Sequence, residues 1–251
     1  MRRYALRDDQ WERIKDLLPG RPGHVGVTAK DNRLFVEAVL YRYRAGIPWR
    51  DLPERFGAWK KVHTRFCRWA RSGGVGESVR APGRCGGQRV RDDRQHHRPR
   101  PSAQRRGGQK DGDEAIGRSR GGLSTKIHAT VDALGNPTGF ALSPGQAHDL
   151  EGADALLPGL AADALIADKA FDAEERVLKP LAEAGKTAVI PPKGNRKEPR
   201  LYDKDLYKAR HLIENFFAKL KQFRAIATRY DKRAVHFLGA IHLAASVIWL
   251  N

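Results

Sequence analysis

Cysteine is nearly absent: the 251 residues hold two, Cys67 and Cys85. Two cysteines give no disulfide framework and no paired CxxC zinc motif. Long apolar runs are missing as well, and none approaches the ~20 residues needed to cross a bilayer. Met1-Arg2-Arg3-Tyr4 lacks the apolar core of a secretory leader, so a cytoplasmic, nucleoid-associated protein is expected. Acidic residues are scarce beside basic ones, 29 against 47, for a net charge of +18 and a pI near 10.3. A charge that large repels itself unless an anionic partner screens it. Nucleic acid suits best, because phosphate neutralisation by Lys and Arg drives non-specific binding. A ribosome-associated or membrane-surface protein is the blander alternative.

One further absence is local. Residues 73–108 contain no Leu, Ile, Phe, Tyr, Trp or Met, and hold nine Arg against three acids. Such a segment cannot bury enough apolar surface to offset chain entropy, so it reads as a disordered basic linker. Its net +6 leaves +12 in the rest of the chain, and the nucleic-acid argument survives without it.

Order is expected on both sides of this gap. Residues 1–72 read as a small all-α domain. Asp8 is a plausible cap for a helix carrying Trp11, Ile14, Leu17 and Leu18 on one face, stopped by Pro19-Gly20. A second helix runs from about Asp31 to Gly46. A third carries Trp59, Val62, Phe66 and Trp69 on one face and Lys60, Lys61, Arg65, Arg68 and Arg71 on the other. Short helices with a basic outer face suit a helix-turn-helix-like DNA module, although a solvated charged face would look the same.

Residues 109–251 read as an α/β domain with a mixed sheet. Leu123–Val131 alternates as a strand, Leu134-Gly135-Asn136-Pro137 turns, and Thr138–Leu142 returns. Asp149 is positioned to cap a helix through Leu157. Two short buried strands are expected at Ala164–Ala167 and Thr187–Ile190, with a helix over about 173–184 between them. A long helix is predicted over about 204–223 and a last one over about 233–250.

Two acids stand out. Asp168 follows a buried apolar strand, and strand ends in open α/β sheets are where ligands bind. Glu214 lies in a predicted helix with Tyr207, Arg210 and Lys221 at offsets that cluster on one side. A salt-bridged helix face would explain the same spacing.

The spacing Tyr-x2-Arg-x3-Glu-x6-Lys, present as Tyr207, Arg210, Glu214 and Lys221, resembles the YREK signature of bacterial insertion-sequence DDE transposases. Asp168-Lys169-Ala170-Phe171-Asp172 is similar to that family's second-aspartate motif. Gly117–His128, Gly145-Gln146-Ala147-His148-Asp149 and Thr228-Arg229-Tyr230-Asp231-Lys232 resemble it too. So do Trp11, Pro48-Trp49-Arg50-Asp51-Leu52-Pro53 and Phe56-Gly57. The resemblance covers about 1–72 and 109–251 and implies an RNase H-like catalytic core after the helical domain. It implies three carboxylates holding two Mg²⁺ or Mn²⁺ ions ~4 Å apart across a scissile phosphodiester. Asp168 and Glu214 would be catalytic metal ligands, and Tyr207, Arg210 and Lys221 would contact DNA. The implied partners are double-stranded DNA (terminal inverted repeats and target) and a second copy of the chain in a synaptic dimer. A non-catalytic remnant that only occupies transposon ends is the alternative.

The family's first aspartate belongs on a strand ahead of Gly117, where the sequence offers none. Reverse-translated and read one nucleotide downstream, Asp92–Pro101 can spell Met-Ile-Asp-Ser-Thr-Ile-Val-Arg-Ala-His, with its aspartate arising from Arg94 into Gln95. This looks like the family's missing strand. Compensating indels near 73–75 and 105–109 would make about 75–108 a frameshifted insert and impair catalysis. Cys85, His96 and His97 would then be accidents of the frame, without a metal role.

Overall fold

The computed structural model describes residues 4–23, 26–73, 114–196 and 200–251, together with the backbone of 88–96. These residues fall into two compact units. The first takes in the described residues up to 73 together with 96, 114 and 219–251, the second 88–95, 115–196 and 200–218. In the structure residues 219–251 belong with the N-terminal helices.

The first unit is helical. It comprises α1 (Asp8–Ile14), α2 (Asn32–Ala45), α3 (Trp59–Arg71), α8 (Arg224–Ala227) and α9 (Ala234–Trp249). Asp31 caps α2 by accepting from the Leu34 amide at 2.8 Å, and Gly46 ends it in the left-handed region that favours glycine. The cap expected at Asp8 falls instead on Arg7, whose amide donates to Gln10. Apolar on nearly every side, α9 is buried along most of its length. A helix of that kind needs neighbours all round, which is why it is drawn in among α2, α3 and α8. Gly239 sets the α3–α9 approach, since a Cβ there would meet that of Ala70 at 2.9 Å.

The second unit is a mixed α/β layer. Its strands are β1 (Gln88–His96), β2 (Gly117–Ser119), β3 (Gly122–Val131), β4 (Pro137–Pro144), β5 (Ala164–Ala167) and β6 (Thr187–Val189). They form one six-stranded sheet in the order β2-β3-β1-β5-β6, with β4 also paired to β3. The β3–β4 hairpin is antiparallel, from Thr125↔Pro144 to Val131↔Pro137. The β1–β5 and β5–β6 pairs are parallel. β3 was expected to bury one face; Ser124–Val131 is buried on both. The helix expected over 173–184 appears as a π-turn, Glu174–Leu178, running into α5 (Lys179–Glu183).

The strand β1 corrects the expectation that this core lacks its first strand. Gln88, Arg89 and Val90 pair with Leu165, Ile166 and Ala167, so a segment poor in apolar residues occupies a central slot. Backbone pairing accounts for this: a ladder is built from main-chain donors and acceptors, and position in a sheet overrides β-propensity. The rest of the expected linker, 74–87 and 97–108, lies outside the described residues.

Candidate active site

β5 carries the first candidate residue. Leu165, Ile166 and Ala167 are fully buried, and Leu165 and Ala167 join a core cluster that also holds Phe171 and Val177. The strand ends at Asp168, whose extended backbone starts a 3-10 turn closed by the Phe171 amide donating to the Asp168 carbonyl at 2.9 Å. Phe171, only 2% exposed, pins that turn. The Asp168 carboxylate is thus presented from a fixed strand end, with 37% of its side chain open to solvent.

The other carboxylate comes from the helical stretch near the C-terminus. The single helix expected over 204–223 is divided in two. α6 (Lys204–Lys208) is capped by Asp203, and α7 (His211–Lys221) follows after Ala209-Arg210. The Arg210 amide donates to the Tyr207 carbonyl at 2.9 Å and the Ile213 amide to the Arg210 carbonyl at 3.3 Å, the i→i+3 pattern of a 3-10 turn. Side chains three apart eclipse in such a turn, whereas they diverge by about 60° in an α-helix. The tightening therefore lines up Tyr207 with Arg210. Ile213, Phe216 and Phe217 are buried, and Phe216 packs 5.7 Å from Phe140. Glu214 faces away from that core and is 39% exposed.

Arg210 joins the two acids. One terminal nitrogen lies 3.0 Å from Asp168 Oδ1 and 3.2 Å from Oδ2. The other lies 2.6 Å from Glu214 Oε1. The Tyr207 hydroxyl donates to Asp168 at 3.4 Å, and the Arg210 guanidinium lies 5.9 Å from the Tyr207 ring centre. Burial, with the Asp168 charge second, raises the Tyr207 phenol above its ordinary pKa, so it stays a protonated donor at neutral pH. Four of the five sequence-derived candidates thus meet in one place. Lys221, the last residue of α7, is exposed and belongs to the first unit.

Two carboxylates around a single cationic group are the donor chemistry that hard divalent ions select. Asp168 and Glu214, both bonded to Arg210, carry that donor chemistry. A two-metal centre needs a further acid. Among the described residues no group of three His, Cys, Asp or Glu is placed to hold an ion.

A family model described as "Transposase DDE domain" matches residues 92–249. The chain belongs to that transposase family. A second model, "Putative transposase of IS4/5 family", matches residues 6–79. A Brucella ovis protein described as "Putative transposase for insertion sequence element IS6501" is 41% identical over 130 residues, 51% of this chain and the whole of that protein. A Sinorhizobium fredii protein described as "Uncharacterized protein y4sN" is 44% identical over 75 residues, 30% of this chain and 60% of that one. Family membership supports a DNA transposase function and, with it, DNA binding. No helix among the described residues is long and apolar enough to cross a membrane.

In the other family-like segments the charged residues are engaged in buried ties. Asp172, 6% exposed, accepts from the Lys193 amide at 2.8 Å and pairs with Arg196, so it anchors the following loop. Lys126 is buried, donates to the Ala147 carbonyl at 2.6 Å and pairs with Asp149. Asp149 therefore spends its carboxylate on Lys126, and no side-chain cap forms at α4 (Leu150–Leu156). His128 bonds Ser143 at 2.8 Å. Cβ atoms added at Gly117, Gly145 or Gly152 would overlap Gln146, Ser124 or His128. In the first unit Asp231 accepts from Arg42 at 3.0 Å and Tyr43 at 2.8 Å. Sequence reasoning missed these ties because nothing in spacing tells a buried brace from a ligand.

Proposed function

We propose that this transposase cleaves and joins phosphodiesters at insertion-sequence ends. Asp168 and Glu214 would hold Mg²⁺ or Mn²⁺ on an RNase H-like core. The observation that carries the reading is the convergence of these two carboxylates, 46 residues apart in sequence, on one guanidinium. The strand arrangement supports the core type: an antiparallel hairpin on one side of β1, parallel β5 and β6 on the other. A bound metal would polarise the scissile phosphate and neutralise the charge that develops there. Arg210, Tyr207 and Lys221 would bind and orient the phosphates of the DNA end. The expected assembly is a synaptic dimer on terminal repeats, in the nucleoid.

The chain as it stands is impaired on this reading, because about 75–108 carries a frameshifted sequence. Arg94 and Gln95, where the shifted frame supplies an aspartate, fall on β1 beyond Val90, the last residue paired with β5. Restoring the frame should yield a Mg²⁺-dependent nuclease on duplexes carrying the terminal repeat, and Asp168→Asn should abolish it. Cleavage that survives Asp168→Asn would refute the site. Stop codons in the shifted frame across 75–106, or no Asp codon there, would refute the frameshift.

A second reading is a DNA-binding remnant that occupies transposon ends, which the net charge of +18 also suits. It predicts end binding, unaffected by Asp168→Asn, without cleavage in either frame.

A further inference from the structure

A guanidinium bonded at once to two carboxylates serves as their counter-charge, and a metal ion would serve the same purpose. We infer that Arg210 is an exchangeable counter-cation: it neutralises Asp168 and Glu214 while no metal is bound, and it is released to take a DNA phosphate when a divalent ion enters. This rests on the proposed reading of Asp168 and Glu214 as metal ligands.

Three observations carry it. The first is stoichiometric. Each terminal nitrogen of Arg210 is engaged by a different acid, so an ion coordinated by both carboxylates competes with both bonds. The second concerns access. Arg210 is 24% exposed and the two acids 37% and 39%. Ion pairs that open to water cost little to break, and the freed guanidinium has solvent to swing into. The third is positional. Arg210 sits in the 3-10 link between α6 and α7 rather than inside either helix. Its side chain can leave without disturbing the buried Ile213, Phe216 and Phe217 that seat α7. Tyr207, bonded to Asp168 from the end of α6, keeps one carboxylate aimed during the exchange.

The consequence is a reciprocal coupling. An ion that displaces Arg210 makes a phosphate-binding fork available, since guanidinium matches phosphate oxygens two by two. By linkage, a phosphate that captures Arg210 raises affinity for the ion by the same factor. Metal binding without DNA is thereby weakened, and the two ligands favour each other.

The test is Mn²⁺ titration of the full chain, with free Mn²⁺ counted by electron paramagnetic resonance, in the presence and absence of a random-sequence duplex. Without DNA, Arg210→Gln should bind Mn²⁺ about three- to tenfold more tightly than the parent, a factor of a few for each ion pair no longer displaced. Arg210→Lys, which retains one charge but cannot fork, should fall between them. Duplex DNA should tighten Mn²⁺ binding in the parent and leave Arg210→Gln unchanged. A thermal melt establishes that each variant is folded. Equal or weaker Mn²⁺ binding in a folded Arg210→Gln overturns the exchange and makes Arg210 a fixed brace. Parent affinity insensitive to duplex overturns the coupling. Mn²⁺ binding unaffected by Asp168→Asn and Glu214→Gln would show that the carboxylates are not ligands, and the exchange falls with that reading.

Discussion

Replacing Asp231 with alanine removes the counter-charge of a buried guanidinium. Arg42 is 3% exposed and Asp231 9%, and 3.0 Å separates their charged atoms. Asp231 also accepts from Tyr43, 1% exposed, at 2.8 Å. Burial and the nearby Asp231 charge raise the Tyr43 phenol well above its usual value, so it is a firm donor that loses its acceptor. Removing one partner of a buried pair costs about 3–5 kcal/mol, because the other is left charged and dry. Here part of the loss is cushioned. The Arg42 guanidinium also lies 4.5 Å from the Tyr43 ring centre and 4.8 Å from that of Trp49, contacts worth ~1–2 kcal/mol each when desolvated. The expected loss is therefore near the lower end, about 3 kcal/mol. All five tryptophans, Trp11, Trp49, Trp59, Trp69 and Trp249, belong to the first unit. Urea unfolding followed by tryptophan fluorescence thus reads that unit by itself. Arg42→Met added to Asp231→Ala should recover most of the loss, since no charge is then stranded. A single variant within about 0.5 kcal/mol of the parent would refute the reasoning, because an exposed pair behaves that way.

Other outcomes follow from the same structure. Burial lowers the His128 imidazole to about 4 from 6.5, so the folded state binds fewer protons there than the unfolded chain. This contribution is whole above about pH 6.5 and is lost as the pH falls toward 4, up to about 3 kcal/mol. Urea midpoints from circular dichroism should show the slope, and His128→Gln should flatten it. Gly152→Ala would drive a methyl into the His128 ring. It should cost about 1–3 kcal/mol by overpacking and speed hydrogen exchange in β3 and β4. On α3, Lys60, Lys61, Arg68 and Arg71 are exposed. If this face tracks duplex phosphates, each alanine there should reduce the salt slope of DNA binding by about 0.9. An unchanged slope in the quadruple variant would assign DNA contact elsewhere.

The sequence by itself determined most of the elements. Apolar spacing placed α2, α3, β3, β5 and α9, and Asp168 was legible because a buried strand ends in an acid. The Arg210–Glu214 pair was legible as well, since a four-residue interval sets two side chains on one helical face. The spacing left open what that pair was for. Only tertiary structure brought Asp168 to it, because the contact spans 42 residues and depends on where β5 ends relative to the α6–α7 link. The same limit explains two of the misreadings. A strand at 88–96 was invisible because its side chains are polar, whereas its place is fixed by main-chain pairing with β5. The α6–α7 break was invisible because helix periodicity does not register a 3-10 turn. The family-like segments around Lys126, Asp172 and Asp231 could be recognised as patterns. Whether each charge faced a ligand or a buried partner was decided by packing, which composition and period do not encode.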